Sequence, residues 1–527
     1  MTEQRILATR QYPVVNIKPG TALPAKPSMD EIELKFAVPR ESRSALERAL
    51  RRGGVRAERM QAIYFDTPDG RLAGQGASVR LRKEGRRWVQ TAKATTDDVS
   101  RRLEHNVPVA VPRGAREPTL DLSRHVGTPV GEALRRALGN DLTVANQAAL
   151  SERFRTDVWR VARKACVRGT RIEMSLDTGK IVSGDRSAPV SEFELELTSG
   201  KTEALMSLAA QWANRYGLWL STLSKAERGG RLSRGELAGP PVRASIPVVG
   251  PEPDARSFLV ATMESCLTQI LGNASEMGAG ARDEEFVHQL RVGLRRLRTA
   301  LRELKADRHG AAPGWEPVLR STFHELGRHR DDAIVLPAIR TELEAAGVAS
   351  VPVPALAAGT RSPADVVRAG LFQRTLLELL TFTHDRAGPG RGSHTEGKGV
   401  RASVAKRLDV LHRCLARDAK GFDRLSAARQ HRVRKRLKRL RYLSEFAMPL
   451  FAAVDVTRYL GSWRDAQDAL GECNDHRIAT EAFRTQALTE PKATLAVAWL
   501  KSRRRAMVLR CQRALRRASR TKRFWRG

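Results

Sequence analysis

In the stretch "EIELKF", residues 31–36, charged side chains recur at every second position. An extended chain puts Glu31, Glu33 and Lys35 on one face and Ile32, Leu34 and Phe36 on the other. Two carboxylates about 7 Å apart repel by about 2 kcal/mol at an effective dielectric of about 20, so something must offset them. The same design recurs down the first half of the chain. Arg80 and Arg82 share a face in "SVRLRK", Thr91 and Lys93 in "WVQTAK", and Arg102, Glu104 and Asn106 in "RRLEHNV". Arg171, Glu173, Ser175 and Asp177 share one in "RIEMSLD", and Glu192, Glu194 and Glu196 in "EFELEL". Carboxylates are hard oxygen ligands suited to Mg²⁺ or Mn²⁺, and Arg and Lys hold phosphate oxygens. A face carrying both suits a metal-bound, phosphate-rich substrate, whose phosphoryl charge the metal neutralises while activating a water. A solvated strand screened by Lys35 would explain "EIELKF" alone, but the recurrence on other strands weighs against it.

Bringing such faces together takes an antiparallel sheet curled into a barrel, apolar outside under helices and charged inside. Residues 30 to about 235 read as strands broken by helical tracts at 41–52 and 201–216. Residues 1–29, with four prolines and no period, read as a flexible lead-in. Five prolines in 237–255 mark a linker, and helix-period tracts with basic faces follow it.

The chain has 527 residues and a net charge of +35, divided as +14 over residues 1–250 and +21 over 251–527. Both halves are basic, so the expected partner is a polyanion rather than the target of one charged tail. Aromatic residues make up only 5%, which argues against a base-stacking surface. No nucleic-acid motif is present, so no specific nucleic acid is expected. Five scattered cysteines without a C-x-x-C pair fit a reducing cytoplasm. The first 30 residues lack an apolar run, and nowhere do 18 apolar residues follow one another, so neither a signal peptide nor membrane insertion is expected.

The helical half repeats itself. "VHQLRVGLRRLRTALREL" (287–304) matches "QHRVRKRLKRLRYLSEF" (430–446), with His431 lying 143 residues after His288. "ELGRHRDDA" (325–333) matches "ALGECNDHR" (469–477), so that Gly327 and Asp331 correspond to Gly471 and Asp475, 144 residues on. A duplicated helical bundle is expected. His288, Arg291, Arg295 and Arg298 form one stripe, and His431, Arg434, Lys438 and Arg441 repeat it, with Arg296, Arg302, Lys435 and Arg439 widening the positive surface. Few acids are spaced to pair with them, so two basic surfaces facing a polyanion groove are expected. The histidines could contact phosphate when protonated or simply pack.

"EIELKF" resembles the E-x-E-x-K signature of the CYTH superfamily, the triphosphate tunnel metalloenzymes. The likeness continues in order through "YFDTPDGRL" (64–72), "VRLR" (79–82), "TAK" (91–93), "RLEHNV" (102–107), "PTLDL" (118–122), "IEMSLDTG" (172–179), "EFELEL" (192–197) and "LSKAERGGRL" (223–232). "HQLRVGLRRLR" and "HRVRKRLKRLRY" resemble the two halves of a CHAD domain. The resemblance implies an α+β protein: an eight-stranded antiparallel β-tunnel flanked by helices at 30–236, then an all-α duplicated bundle at 256–520. It implies metal positions at Glu31, Glu33, Glu192 and Glu194, with Asp177 and Glu104 as helpers and Glu31, Glu33 and Lys35 central to catalysis. It implies a triphosphate grip by Lys35, Arg80, Arg82, Lys93, Arg102, Arg160 and Lys225, and polyphosphate binding by the two basic stripes. Asn106 stands where many members carry a further acid, and Gly230 where an aromatic is common. The expected activity is Mg²⁺- or Mn²⁺-dependent hydrolysis of inorganic triphosphate to pyrophosphate and phosphate, in the cytoplasm or at polyphosphate granules. Alternatives are a granule-associated polyphosphate binder with little turnover, or an adenylate cyclase or thiamine triphosphatase of the same superfamily.

Overall fold

The computed structural model describes residues 15–16, 32–52, 54–95, 102–139, 149–312, 314–348, 351–354, 361–384 and 397–526. Glu31 lies outside the described residues, as does most of the expected lead-in, and Arg102 is described in its backbone alone. The chain divides into two compact units, Met1–Pro240 with Leu376–His384, and Pro241–Thr375 with Asp385–Gly527.

The first unit is built on one antiparallel sheet. Its strands are β1 (Val15–Asn16), β2 (Glu33–Ala37), β3 (Glu58–Asp66), β4 (Ala77–Glu84), β5 (Arg87–Thr95), β6 (Arg102–Val109), β7 (Ser151–Val167), β8 (Thr170–Ser183), β9 (Arg186–Ser199) and β10 (Trp219–Leu220). Hydrogen bonds order them β10-β2-β9-β8-β7-β3-β4-β5-β6, with β1 on β7. The main path therefore holds nine strands where eight were expected. The extra one is β10: helix Thr202–Tyr216 ends at Gly217 in the left-handed region, φ +63, and the chain returns to pair Trp219 and Leu220 with Ala37 and Phe36. Two residues are too few to show a period of two in sequence.

The alternation separates two faces. Phe36, Val79, Leu81, Ala92, Ile172, Met174, Leu176, Phe193 and Leu195 point to the apolar side and are buried, each such large side chain contributing about 1.5–3 kcal/mol. Val130, Leu134 and Leu138 of helix Pro129–Leu138 join Val79, Leu81 and Ala92 in one core. Trp212 of helix Thr202–Tyr216 stacks on Phe193 with ring centroids 5.2 Å apart. The opposite face lines a cavity of about 1530 Å³ whose walls include Glu33, Lys35, Arg80, Arg82, Lys93, Arg160 and Asp177.

Helix Lys225–Arg234 also lines that cavity. Ser224 and Glu227 form a capping box, Glu227 N to Ser224 Oγ at 3.1 Å and Ser224 N to Glu227 Oε2 at 2.8 Å, which starts the helix at Lys225. Gly229 lies against Phe154: a Cβ there would stand 2.1 Å from the ring. The bare backbone lets the helix sit close enough for Lys225 to reach the sheet.

The second unit is helical. Helices Glu284–Glu303 and Ala427–Phe446 are the two repeats, each 20 residues long. Asp283 and Ser426 cap them, accepting from Glu285 N at 2.8 Å and Arg429 N at 3.4 Å. Leu290, Leu294 and Leu297 of the first and Val433, Leu437, Leu440 and Leu443 of the second form their buried stripes. The two helices pack on each other, and the buried carboxylate of Glu303 accepts from Arg439 at 3.1 Å and also from Arg407. Trp315–Arg330, continued by a π-helical turn at Asp331–Val335, and Arg464–Gln486 carry the second repeated motif. Among the described residues no helix is long and apolar enough to cross a membrane.

Candidate functional site

Three of the acids singled out in the sequence converge on one amine. Lys225 Nζ lies 2.6 Å from Glu192 Oε2, 2.8 Å from Asp177 Oδ2 and 3.2 Å from Glu194 Oε1. The strand register makes this possible: Asp177 on β8 faces Glu192 on β9, and Glu194 stands two residues along the same face, opposite Lys35 on β2. Arg160 on β7 grips Asp177 with two hydrogen bonds of 2.6 Å and reaches Glu194 Oε2 at 2.8 Å. Arg228, one turn beyond Lys225, donates to Glu192 Oε1 at 2.9 Å. Lys35 Nζ is 3.6 Å from Glu194 and 4.0 Å from Glu33. Burial alone would push Glu194 up, but Lys225, Arg160 and Lys35 outweigh it and hold the carboxyl well below its usual range. Burial likewise opposes the charge on Lys225, and its three carboxylates raise it well above an ordinary lysine. The nest is therefore fully ionised and internally neutralised.

Arg80 and Arg82 on β4 are placed differently. Arg80 Nη1 donates to the phenol oxygen of Tyr64 at 2.9 Å, and Arg82 pairs with Glu84 at 2.5 Å. Both keep a buried Nε without a partner. Burial and the neighbouring Arg80 lower Arg82. Lys93 pairs with Glu104 at 2.6 Å, and Asn106 ties Thr91 to Glu104 at 2.7 and 2.9 Å. Arg160 links the two walls, its charge felt by both Glu33 and Arg80.

The register sets Glu33, an expected metal position, in a row with two acids that were visible on the charged faces but not assigned to a site. Glu33 faces Glu196, and Glu196 faces Glu173, across β2, β9 and β8; all three line the cavity. Directly opposed like charges destabilise a sheet. Tyr64 and Arg228 were also missed. Tyr64 stacks on Phe154 at 4.4 Å, and although burial opposes its ionisation, Arg80, Lys225 and Lys93 lower it on balance.

In the helical unit the expected stripes meet in one cationic cluster. Arg295 and Arg330 lie close enough to Arg291, Arg434 and Lys438 to depress all three. Burial first, then these neighbours, lower Arg291 and Arg434 to about 10 and Lys438 well below its ordinary value. Among the described residues no carboxylate lies within 4.0 Å of Arg291, Arg295, Arg434 or Lys438. Arg298 and Arg441 differ, being paired with Glu316 at 2.6 Å and Glu445 at 2.7 Å. Arg330, which the stripes did not include, lies between Asp331 and Asp475 at 3.6 and 3.7 Å. Burial lowers His288 and takes His431 down to about 4, with Lys435, Arg477 and Arg434 adding to the latter. His431 is thus neutral at pH 7.

The chain thus has two parts, an antiparallel sheet with one face lining a charged cavity and a helical unit in which two related helices carry clustered cations. The family comparisons give the parts their names. Residues 29–229 match the CYTH domain and residues 261–484 the CHAD domain, so the chain contains a CYTH domain followed by a CHAD domain. An inorganic triphosphatase of Haemophilus influenzae is 28% identical over 207 residues, 38% of this chain and 54% of that protein. The chain thus spans about half the length of that curated relative. The crystal structure of a CHAD domain from Ricinus communis covers 55% of this chain and 99% of its own, at 24% identity and a TM-score of 0.44. That of an inorganic triphosphatase covers 34% and 78%, at 18% identity and a TM-score of 0.16.

Proposed function

We propose that the chain is a divalent-metal-dependent inorganic triphosphatase, with its catalytic cavity in residues 30–236 and an inorganic polyphosphate-binding domain in 256–520. The observation that carries the first part is the pair Arg80 and Arg82, whose buried Nε atoms lack partners in the wall of the cavity. Guanidinium N–H groups without acceptors suit phosphate oxygens. Glu33, Glu173 and Glu196 carry hard oxygen donors of the type Mg²⁺ or Mn²⁺ takes, but among the described residues no three acids are gathered as a metal-holding group, so these would have to draw together around the ion; the other expected ligands Asp177, Glu192 and Glu194 already surround Lys225. When bound, such a cation supplies neutralisation and polarisation of phosphoryl oxygens. Arg80 and Arg82 orient the chain of phosphates, Lys35 and Arg160 place positive charge between them and the acid row, and Lys93 is held ready by Glu104. The 28% identical triphosphatase supports this reading.

The test is phosphate release from triphosphate with Mg²⁺ or Mn²⁺, run beside nucleoside and thiamine triphosphates. Glu33→Gln is expected to remove most of the activity. No release, preference for a nucleotide, or release untouched by Glu33→Gln overturns it. For the second part, Arg291, Arg295, Arg434 and Lys438 without carboxylates in reach support polyanion binding. Retention on polyphosphate should fall steeply with salt, and displacement by DNA at equal phosphate concentration would defeat the specific reading.

A further inference from the structure

Among the positions at which the two halves of the basic cluster differ, one changes what the cations rest on. The 144-residue offset that relates Gly327 to Gly471 also relates Phe323 to Gln467. The Phe323 ring lies under three guanidinium groups, Arg291 at 4.8 Å, Arg295 at 5.2 Å and Arg298 at 5.9 Å. Gln467 instead accepts one hydrogen bond, from Arg441 Nη1 at 2.9 Å. Among the described residues no aromatic ring lies under Arg434 or Lys438. The glycines differ in the same sense. A Cβ on Gly327 would stand 3.3 Å from Arg291 Nη2, whereas one on Gly471 would meet open space. Arg291 is 9% exposed, and its Nε and Nη1 are buried without partners.

We propose that the groove is asymmetric: Arg291 and Arg295, held on Phe323 above Gly327, form the anchoring subsite for a phosphoryl group, and Arg434 and Lys438 form a weaker extension. This rests on the polyanion-binding reading above. Cations stacked on one ring face keep their N–H edges in plane and lose less freedom on binding. Buried N–H groups without acceptors are costly until an anion supplies one. Phe323 acts through the arginines and is a positioning residue.

The experiment measures the affinity of the full chain for inorganic polyphosphate of one defined short length, with melting temperature alongside. Phe323→Leu is expected to weaken binding by about tenfold, from the strength of cation–π contacts, while Phe323→Tyr keeps it. Gly327→Ala is expected to weaken binding with no fall in melting temperature, because alanine favours a helix over glycine and the flexible end of Arg291 must move. Gly471→Ala is expected to leave binding unchanged. Equal losses for Gly327→Ala and Gly471→Ala, or a Phe323→Leu chain that binds like wild type, overturn the asymmetry and leave polyanion binding standing. A wild-type chain that does not bind polyphosphate overturns both.

Discussion

Replacing Lys225 with methionine keeps the length of the side chain and removes its charge. The ammonium stands within 3.2 Å of Asp177, Glu192 and Glu194, and the Asp177 side chain is 1% exposed. Arg160, Arg228 and Lys35 remain, but the one cation that touches all three carboxylates is gone. Breaking a buried pair by removing one partner costs about 3–5 kcal/mol. For a unit of this size that corresponds to a fall of roughly 10 °C or more in its melting transition. The pH dependence gives the test its force. Lys225 is raised above its unfolded value, so its contribution is present below an ordinary lysine pKa and disappears as pH rises through the folded one. Glu194 and its neighbours are lowered, so theirs is present above the ordinary carboxylate pKa and disappears as pH falls through the folded one. The full contribution therefore spans about pH 5–9. Lys225→Met should be most destabilising across that window and approach wild type toward about pH 4, where the freed carboxyls can protonate. Melting curves of the full chain at several pH values read this out. A deficit independent of pH would mean that Lys225 contributes packing alone, and no deficit would refute the nest as a stabilising unit.

Arg80→Gln and Arg82→Gln should each lower kcat/KM for triphosphate by about 10- to 100-fold, the worth of a charge-assisted hydrogen bond, measured as phosphate release; the melting temperature of Arg80→Gln should hold, because Arg80 has a phenol as its partner, whereas Arg82→Gln also gives up its pair with Glu84. Gly229→Ala should destabilise the first unit by about 1–3 kcal/mol through overpacking, since the new methyl meets the Phe154 ring; a neutral or stabilising effect in denaturant melts would contradict the close helix seat. His431, lowered to about 4, stays neutral at pH 6, so polyphosphate affinity in His431→Asn should differ from wild type by the same factor at pH 6 and pH 8. A gap that widens at pH 6 in titration calorimetry would show that the histidine charges in the groove.

Much of the first unit was legible because a period of two is a strong signal. Lys35, Arg80, Lys93, Asp177 and Glu194 lie on the charged faces expected of them, and Phe36, Leu81 and Leu195 on the apolar ones. What resisted reading depended on distance in sequence. Lys225 sits 48 residues from Asp177, and only the seat of Gly229 on Phe154 determines that it meets the acids rather than an incoming phosphate. The opposition of Glu33, Glu196 and Glu173 depends on register between three strands, which alternation within each strand cannot supply. In the helical unit the stripes were legible at helical spacing, but Glu316, the partner of Arg298, lies on another helix, as does the Phe323 ring.

The two units partner their clustered cations in opposite ways, and the difference has a physical consequence for the functions proposed above. In the sheet cavity Lys225, Arg160 and Lys93 each have a carboxylate within 2.8 Å, so the charge of these three is compensated within the wall. A cavity lined by bare cations would hold a phosphate product as firmly as its substrate, and binding shared by both states does not accelerate a reaction. Acids that neutralise most of the wall leave the grip to a few donors and let product leave. Among the described residues Arg291, Arg295, Arg434 and Lys438 have no carboxylate within 4.0 Å; Asp331 and Asp475 act on Arg291 and Arg434 from farther off without restoring their ordinary values, and a bound anion would relieve the remaining repulsion. That arrangement stores electrostatic strain for binding, as retention on a polymer requires. The pairing of carboxylates with cations, dense around Lys225 and sparse around Arg291, Arg295, Arg434 and Lys438, is thus the feature that would separate the proposed site of turnover from the proposed site of holding.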